Sequence, residues 1–238
     1  MKIIDKIVRK QKARQFADSI TIVCLGDSVT EGCFECYINE EGRISTVFER
    51  NNSYSVKLQQ MLTALSPTVQ FNVINSGFSG GSAENGLETL ERDVLKFSPD
   101  LVIVSYGLND SGRTISEYIK NLSAIFEKIK TIGSEIIFLT QNSLCTNVSP
   151  HLTEKPLRDL ASDLAQRQNA GVLDQYFEKA KELCRVYDVE VCDLYSVWKA
   201  MDKCAINTTE LLSNKLNHPV REYHYYIAIK LVEKILGV

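Results

Sequence analysis

Five short apolar segments recur along the chain and alternate with segments of helical periodicity. Each apolar segment is continuous rather than alternating with polar residues, which is typical of strands covered on both faces. Strand and helix alternation of this kind predicts a parallel sheet with right-handed crossover connections. The predicted strands are 20–25, 69–74, 101–106, 135–140 and 189–194, and the predicted helices are 53–65, 84–97, 116–131, 170–187 and 221–236.

The predicted fold is a three-layer α/β/α domain with a five-stranded parallel sheet, similar to flavodoxin. The chain has 238 residues and shows no internal repeat or flexible linker, so we expect a single domain over residues 1–238. Residues 1–18 are basic and predict an N-terminal helix packed on this domain. The alternative is a basic amphipathic helix that contacts a membrane surface. Its apolar face would carry Ile3, Ile4, Ile7, Val8 and Phe16.

Charge and cysteine usage restrict the class of protein. The net charge of −3 gives no reason to expect a nucleic acid or a stable membrane association. No apolar run reaches the ~18 residues of a membrane span, and the first residues do not resemble a signal peptide. Cys33 and Cys36 have the spacing of metal ligands but lack a second pair. We therefore expect reduced thiols and a cytoplasmic location. The sequence implies neither a metal nor an organic cofactor.

Polar, glycine-containing turns follow the first three predicted strands. They are Gly26-Asp27-Ser28, the segment 75–82 (NSGFSGGS) and the segment 107–110 (GLND). Parallel strands bring their carboxyl ends to one edge of the sheet, where ligands of such folds bind. His218 precedes the last predicted helix and supplies a base near the C-terminus. These turns and His218 are therefore the candidate functional residues.

Ser28 has two interpretations from its local sequence. Ser28 and Glu31 fit the Ser-x-x-Glu pattern of a capping box that begins a helix. However, Gly32 would fall in the first turn of that helix and weaken it. The position after a strand end therefore favours a nucleophile over a helix cap.

The three turns and the segment of His218 together resemble the SGNH, or GDSL-type, family of esterases and lipases. The family's four signature residues correspond here to Ser28, Gly80, Asn109 and His218, in the family's order and at similar spacing. The resemblance implies that Ser28 is the nucleophile and His218 the general base. It also implies an oxyanion hole formed by the backbone N–H groups of Ser28 and Gly80 and the side-chain amide of Asn109. Gly77 is the alternative to Gly80 in the second turn.

The chain departs from the family at one position. The family usually carries an Asp three residues before the catalytic His, and Lys215 occupies that position here. A Ser–His dyad whose ring is held by a backbone carbonyl or by the Asn214 side chain is one explanation. A carboxylate from elsewhere is a second, with Asp202, Glu210 and Glu222 as candidates. The third is a weakly active relative with an empty acid position.

The resemblance therefore implies a serine esterase that acts on a small-molecule carboxylic ester. Family analogy favours a short acyl group, such as an acetyl group on a carbohydrate. The competing interpretation is a binding module that keeps the cleft without activity. A phosphate-binding flavodoxin-like protein is a third interpretation. The chain lacks the Gly-Lys-Ser/Thr sequence of a phosphate loop, which argues against it. The oligomeric state stays open.

Overall fold

A computed structural model describes residues 2–13 and 18–238. A five-stranded parallel sheet runs through the described part of the chain in the order β4-β1-β5-β6-β7. A separate antiparallel hairpin, β2-β3, follows the first strand. The elements in chain order are α1 (Lys2–Ala13), β1 (Ile20–Gly26), α2 (Ser28–Glu31), β2 (Cys33–Ile38), β3 (Ile44–Phe48), α3 (Tyr54–Leu65), β4 (Phe71–Gly77), α4 (Ala83–Asp93), β5 (Leu101–Ser105), α5 (Ile115–Thr131), β6 (Glu135–Thr140), α6 (Lys155–Asn169), α7 (Val172–Tyr187), β7 (Glu190–Asp193), α8 (Tyr195–Lys203) and α9 (Arg221–Leu236).

The predicted fold class is confirmed, and most of the differences concern boundaries. The strand predicted over 69–74 is β4, which begins later and continues to Gly77. The helix predicted over 84–97 is α4, which ends at Asp93 and is followed by a 3₁₀ turn over Leu95–Phe97. The hairpin β2-β3 and the helices α6 and α8 were not predicted.

The sheet is buried on both faces by two separate apolar clusters. On β5, Val102 and Val104 contribute to the cluster that contains α5 and α7, whereas Leu101 and Ile103 contribute to the cluster that contains α3 and α9. Successive side chains of a strand point to opposite faces, so a strand covered on both sides must be apolar throughout. This is why the strands are continuous apolar runs in the sequence.

The N-terminal helix packs on the second of these clusters. Ile3 and Ile7 are buried there with α9. The helix predicted over 1–18 ends earlier, at Ala13, and Asp18 is not helical. Phe16 lies outside the described residues. No helix in the described ranges is long and apolar enough to cross a membrane.

All seven cysteines are free thiols. Cys24 and Cys192 are buried in β1 and β7, as small core residues. Cys33 and Cys36 lie on β2. Within residues 2–13 and 18–238, no group of three or more His, Cys, Asp or Glu side chains is arranged to hold a metal ion.

Candidate active site

Ser28 begins a one-turn helix directly after β1, the strand that lies between β4 and β5. Asp27 is the N-cap of α2, and its Oδ1 accepts a hydrogen bond from the backbone N–H of Val29 at 3.0 Å. Gly32, at φ 94°, ends the helix in the left-handed conformation that glycine adopts without strain. Ser28 is therefore not the cap, and as a first-turn residue its N–H has no acceptor within the helix.

The capping box that the Ser-x-x-Glu pattern allowed for Ser28 and Glu31 is not formed. The carboxylate of Glu31 does not reach back to the start of α2. Its Oε2 accepts the backbone N–H of Ser79 at 2.7 Å, in the turn that follows β4. The Ser-x-x-Glu pattern is thus used for a contact between two turns of the sheet edge.

Ser28 and His218 form a buried hydrogen-bonded pair. Ser28 Oγ lies 2.9 Å from His218 Nε2, and both residues are buried. The other ring nitrogen, Nδ1, lies 2.7 Å from the backbone carbonyl oxygen of Phe34. A carbonyl oxygen only accepts, so Nδ1 carries the proton of the neutral ring and Nε2 accepts from the Ser28 hydroxyl. This is the tautomer that a general base beside a serine requires.

A bulge in the hairpin makes the Phe34 carbonyl available. Cys33 pairs with Phe48 and Cys36 pairs with Thr46, so β2 carries one more residue than β3 between these pairs. The extra residue interrupts the ladder, and the Phe34 carbonyl oxygen accepts from the His218 ring. The Phe34 side chain is fully buried, with the Arg221 guanidinium 4.4 Å from its ring centroid.

Asn214 holds the loop that carries His218 and does not hold the imidazole ring. Its Oδ1 accepts three backbone N–H groups, those of Leu216 at 3.0 Å, Asn217 at 2.9 Å and His218 at 2.9 Å. Both ring nitrogens of His218 have other partners. The expectation that Asn214 orients the ring directly is therefore wrong, whereas the backbone-carbonyl explanation matches the geometry.

Lys215 and the candidate carboxylates lie away from the ring. Lys215 adopts φ 58°, and its Nζ lies 3.0 Å from Glu210 Oε2 and donates to the Glu210 carbonyl at 3.0 Å. Glu210 also accepts from the Ser149 hydroxyl at 2.8 Å. Asp202 and Glu222 are exposed. None of the three carboxylates contacts the imidazole, since both ring nitrogens are engaged elsewhere.

The environment of His218 favours the neutral imidazole. Burial lowers the pKa of His218 to about 4, and the Phe34 carbonyl and the Glu35 carboxylate oppose this shift only in part. Glu35 is itself paired with Arg221, whose hydrogen bonds lower the pKa of the Glu35 carboxyl. His218 is therefore unprotonated at neutral pH and can accept a proton.

The turn after β4 leaves the N–H of Gly80 available at the cleft. The N–H groups of Gly77, Phe78 and Ser79 donate to Asn75 Oδ1, the Gly26 carbonyl and Glu31 Oε2, and that of Gly81 donates to the Phe78 carbonyl. In the described part of the chain, the Gly80 N–H has no acceptor. Gly80 adopts φ 77° and has open space where a Cβ would be, so the turn presents its backbone to the cleft.

Gly77, the alternative to Gly80, has a packing role instead. A Cβ at Gly77 would lie 2.2 Å from the backbone nitrogen of Glu31. The glycine thus allows the end of β4 to approach α2 closely.

Asn109 spans the gap between the second and third turns. Its side-chain Nδ2 donates to the carbonyl of Gly81 at 2.8 Å, which uses one of its two hydrogens. The second hydrogen is available to an acceptor in the cleft. Ser28, Gly80, Asn109 and His218 all line this cleft, which has a volume of about 510 Å³. The structure therefore brings the four residues singled out in the sequence to one place.

A buried polar bridge beneath the cleft was not predicted. The Nε2 of Gln141 donates to Asp27 Oδ2 at 2.8 Å, and its Oε1 accepts the Leu108 N–H at 3.0 Å. Burial raises the pKa of Asp27 to about 7, and it raises the pKa of Asp110 to about 6. Asp110 Oδ1 accepts the N–H of Ala83 at the start of α4. These side chains tie the first, second and third turns together.

The hairpin supplies one wall of the cleft. Tyr37, Ile44 and Phe48 line it and are 49%, 42% and 54% exposed. Leu160 on α6 and Leu216 also line the cleft. The hairpin thus adds apolar surface to the cleft, together with the polar side chains of Ser45 and Thr46.

Comparison with known proteins finds one matching family of lipases and acylhydrolases. The sequence model of the GDSL-like Lipase/Acylhydrolase family matches residues 24–224. An acetylxylan esterase from Geobacillus stearothermophilus is 25% identical over 131 residues, which are 50% of this chain and 58% of that protein. The match thus spans little more than half the length of this curated relative.

Solved structures share the fold at low sequence identity. The acetyl xylan esterase AlAXEase superposes with a TM-score of 0.66 at 19% identity, over 90% of this chain and 99% of that chain. A lipase/acylhydrolase from Enterococcus faecalis gives 0.65 at 23% identity, over 92% and 96%. The resemblance predicted from the sequence is confirmed, and the chain belongs to the GDSL-like lipase/acylhydrolase family.

Proposed function

We propose that this protein is a serine esterase that hydrolyses short acyl esters, with acetyl groups on a carbohydrate as the preferred substrate. The observation that carries the proposal is the Ser28 Oγ–His218 Nε2 hydrogen bond of 2.9 Å, with the other ring nitrogen held by the Phe34 carbonyl. A serine hydroxyl is a weak nucleophile until a neighbouring base takes its proton.

The reaction proceeds in two halves. Ser28 Oγ attacks the ester carbonyl carbon while its proton passes to His218 Nε2, and the carbonyl oxygen becomes an oxyanion. The oxyanion is stabilised by the N–H groups of Ser28 and Gly80 and by the Asn109 amide. When the ester C–O bond breaks, His218 returns the proton to the departing alcohol.

Water then releases the acyl group. A water molecule gives a proton to His218 and attacks the acyl carbon, and a second oxyanion forms at the same donors. Collapse of this intermediate frees the carboxylic acid, and the proton returns to Ser28. Throughout, the Phe34 carbonyl accepts from Nδ1–H and keeps the ring oriented.

The substrate class rests on the relative and on the cleft. The curated relative is named as an acetylxylan esterase. Tyr37 and Phe48 give the cleft an apolar wall against which the carbon skeleton of an alcohol can pack. A binding module without activity would have no need for a base kept neutral beside a serine, so the esterase is the better proposal.

The test is a series of p-nitrophenyl esters from acetate to palmitate, together with acetylated xylooligosaccharides assayed by acetate release. The proposal predicts the highest kcat/KM with acetate among the p-nitrophenyl esters, and acetate release from the sugar. Ser28→Ala is the matched inactive control. A maximum at octanoate or longer chains would contradict the acetyl preference, and no turnover of any ester by folded protein would contradict the esterase.

A further inference from the structure

Glu31 is a buried carboxylate fixed between two partners. Its side chain is 8% exposed, whereas that of its partner Arg50 is 69% exposed. Glu31 Oε1 accepts from the Arg50 guanidinium, and Oε2 accepts the backbone N–H of Ser79 at 2.7 Å. A carboxylate removed from water requires such partners. The side chain therefore connects a surface cation to the backbone of the turn after β4.

The turn held by Glu31 is the one that presents Gly80. Ser79 directly precedes Gly80, and both line the cleft with Ser28. Glu31 and Arg50 do not line that cleft but a separate cavity of about 590 Å³. Glu31 thus contacts the turn from the side of the separate cavity, whereas Ser79 and Gly80 of the same turn line the cleft with the candidate oxyanion position.

Other contacts fix α2 against the same turn. The Nδ2 of Asn75 donates to the Thr30 carbonyl at 2.8 Å, and the absent side chain of Gly77 lets β4 approach the Glu31 backbone. These contacts locate the start of the turn, whereas the Glu31 carboxylate holds Ser79 itself. The Cys33 thiol also contacts the Ser79 side chain, but the hydrogen bond to the Ser79 backbone N–H comes from Glu31.

We propose that Glu31 is a positioning residue that aims the Gly80 N–H at the oxyanion, and that Arg50 holds Glu31 in place. The inference rests on the proposed esterase function. A donor displaced by about 1 Å can cost on the order of 10²-fold in rate, so a carboxylate that never touches substrate affects turnover through the turn.

Three substitutions of Glu31 test separately the length, the charge and the presence of its side chain. Glu31→Ala removes the acceptor of the Ser79 N–H. Glu31→Asp keeps the charge but withdraws the carboxylate by one methylene. Both should lower kcat by about tenfold to a hundredfold with a smaller change in KM. Glu31→Gln keeps an acceptor oxygen at the original reach and should recover most of that loss.

Affinity for phenylboronic acid supplies a readout that a purely structural role would not move. The boronate forms a tetrahedral adduct with a nucleophilic serine, so its affinity should fall by about the same factor as kcat in the Ala and Asp variants. Arg50→Met should give a smaller loss in both measurements. Lys179→Met, which breaks the exposed Lys179–Glu182 ion pair on α7, is the control and should match the wild type.

The outcomes distinguish this proposal from the proposed function. If the wild type hydrolyses acetate esters but the Ala and Asp variants keep its kcat and boronate affinity, the positioning role is wrong. If the wild type itself hydrolyses no ester, the esterase is wrong. If circular dichroism shows that Glu31→Ala does not fold, the Asp and Gln variants decide. Equal losses in Gln and Asp would then overturn the proposal.

Discussion

The backbone carbonyl oxygen of Phe34 lies 2.7 Å from Nδ1 of His218 and accepts the hydrogen for which the family pattern led us to expect an Asp side chain. The carbonyl fixes the ring orientation and the tautomer without adding a negative charge. A neutral acceptor stabilises the imidazolium less than a carboxylate does. The negative charge of Glu35 supplies part of that stabilisation, since it raises the pKa of His218. The geometry thus provides a Ser–His pair that does not depend on the residue at position 215.

Restoring the family's Asp should therefore give little gain. In Lys215→Asp the ring is already engaged by Phe34, and position 215 has a left-handed φ of 58° with its side chain directed to Glu210. We expect kcat/KM for an acetyl ester to stay within about tenfold of the wild type. A rise of about a hundredfold or more, on the scale of the 10⁴ lost when a serine protease loses its Asp, would contradict this explanation.

Asn109→Ala should act on the transition state. The substitution removes the amide hydrogen available to the oxyanion and also the bond to the Gly81 carbonyl. We expect kcat to fall by about 10²–10³ with a smaller change in KM, as measured with p-nitrophenyl acetate. Asn147→Ala, at an exposed loop position outside the cleft, is the control. A loss confined to KM would assign Asn109 to ground-state binding.

The pH profile should extend unusually far into acid. Because burial lowers the pKa of His218 to about 4, the base stays unprotonated from neutral pH down to that value. Activity should therefore fall as the pH drops through about 4, rather than through the ordinary imidazole pKa of about 6.5. The measurement is kcat/KM, determined by acetate release from about pH 3.5 to about pH 8, a range that includes both of these pKa values. An acid limb near 6.5 would show that His218 is not the buried base described.

Gln141→Leu should destabilise the fold through its two bonds. The substitution leaves Asp27 Oδ2 and the Leu108 N–H without their partner in a buried site. Each unsatisfied group costs about 1–3 kcal/mol in the free energy of unfolding, which urea titration at neutral pH would report. Gln166→Leu, at an exposed position on α6, should change stability by less than about 0.5 kcal/mol. Equal stability of the two variants would contradict the claim that the two hydrogen bonds of Gln141 stabilise the fold.

The sequence predicted the turns of the site because their placement follows from the sheet. Continuous apolar strands imply a parallel sheet, and parallel strands bring the turns of Ser28, Gly80 and Asn109 to one edge. The partner of His218 could not be predicted in the same way. It is a backbone carbonyl, which every residue carries, and it is freed by a bulge between Cys33 and Cys36 whose register depends on the partner strand.

Side-chain directions and half-exposed elements also could not be predicted from the sequence. Asn214 is close enough in sequence to orient His218, but its oxygen is used by three backbone N–H groups of its own loop. The hairpin β2-β3 mixes polar and apolar residues and is only partly buried, so it lacks the continuous apolar pattern of the sheet strands. Glu31 fits a capping box locally, and its contact with Ser79 arises only when β4 packs beside α2.

The central claim is that His218 activates Ser28, and covalent labelling tests it most directly. Wild type, Ser28→Ala and His218→Ala would be treated with a fluorophosphonate and mapped by peptide mass spectrometry, with circular dichroism to verify folding. The account predicts one adduct, on Ser28, in the wild type, no adduct in Ser28→Ala, and labelling slowed by about 10² or more in His218→Ala. A folded wild type that stays unlabelled, or that reacts equally well without His218, would contradict it.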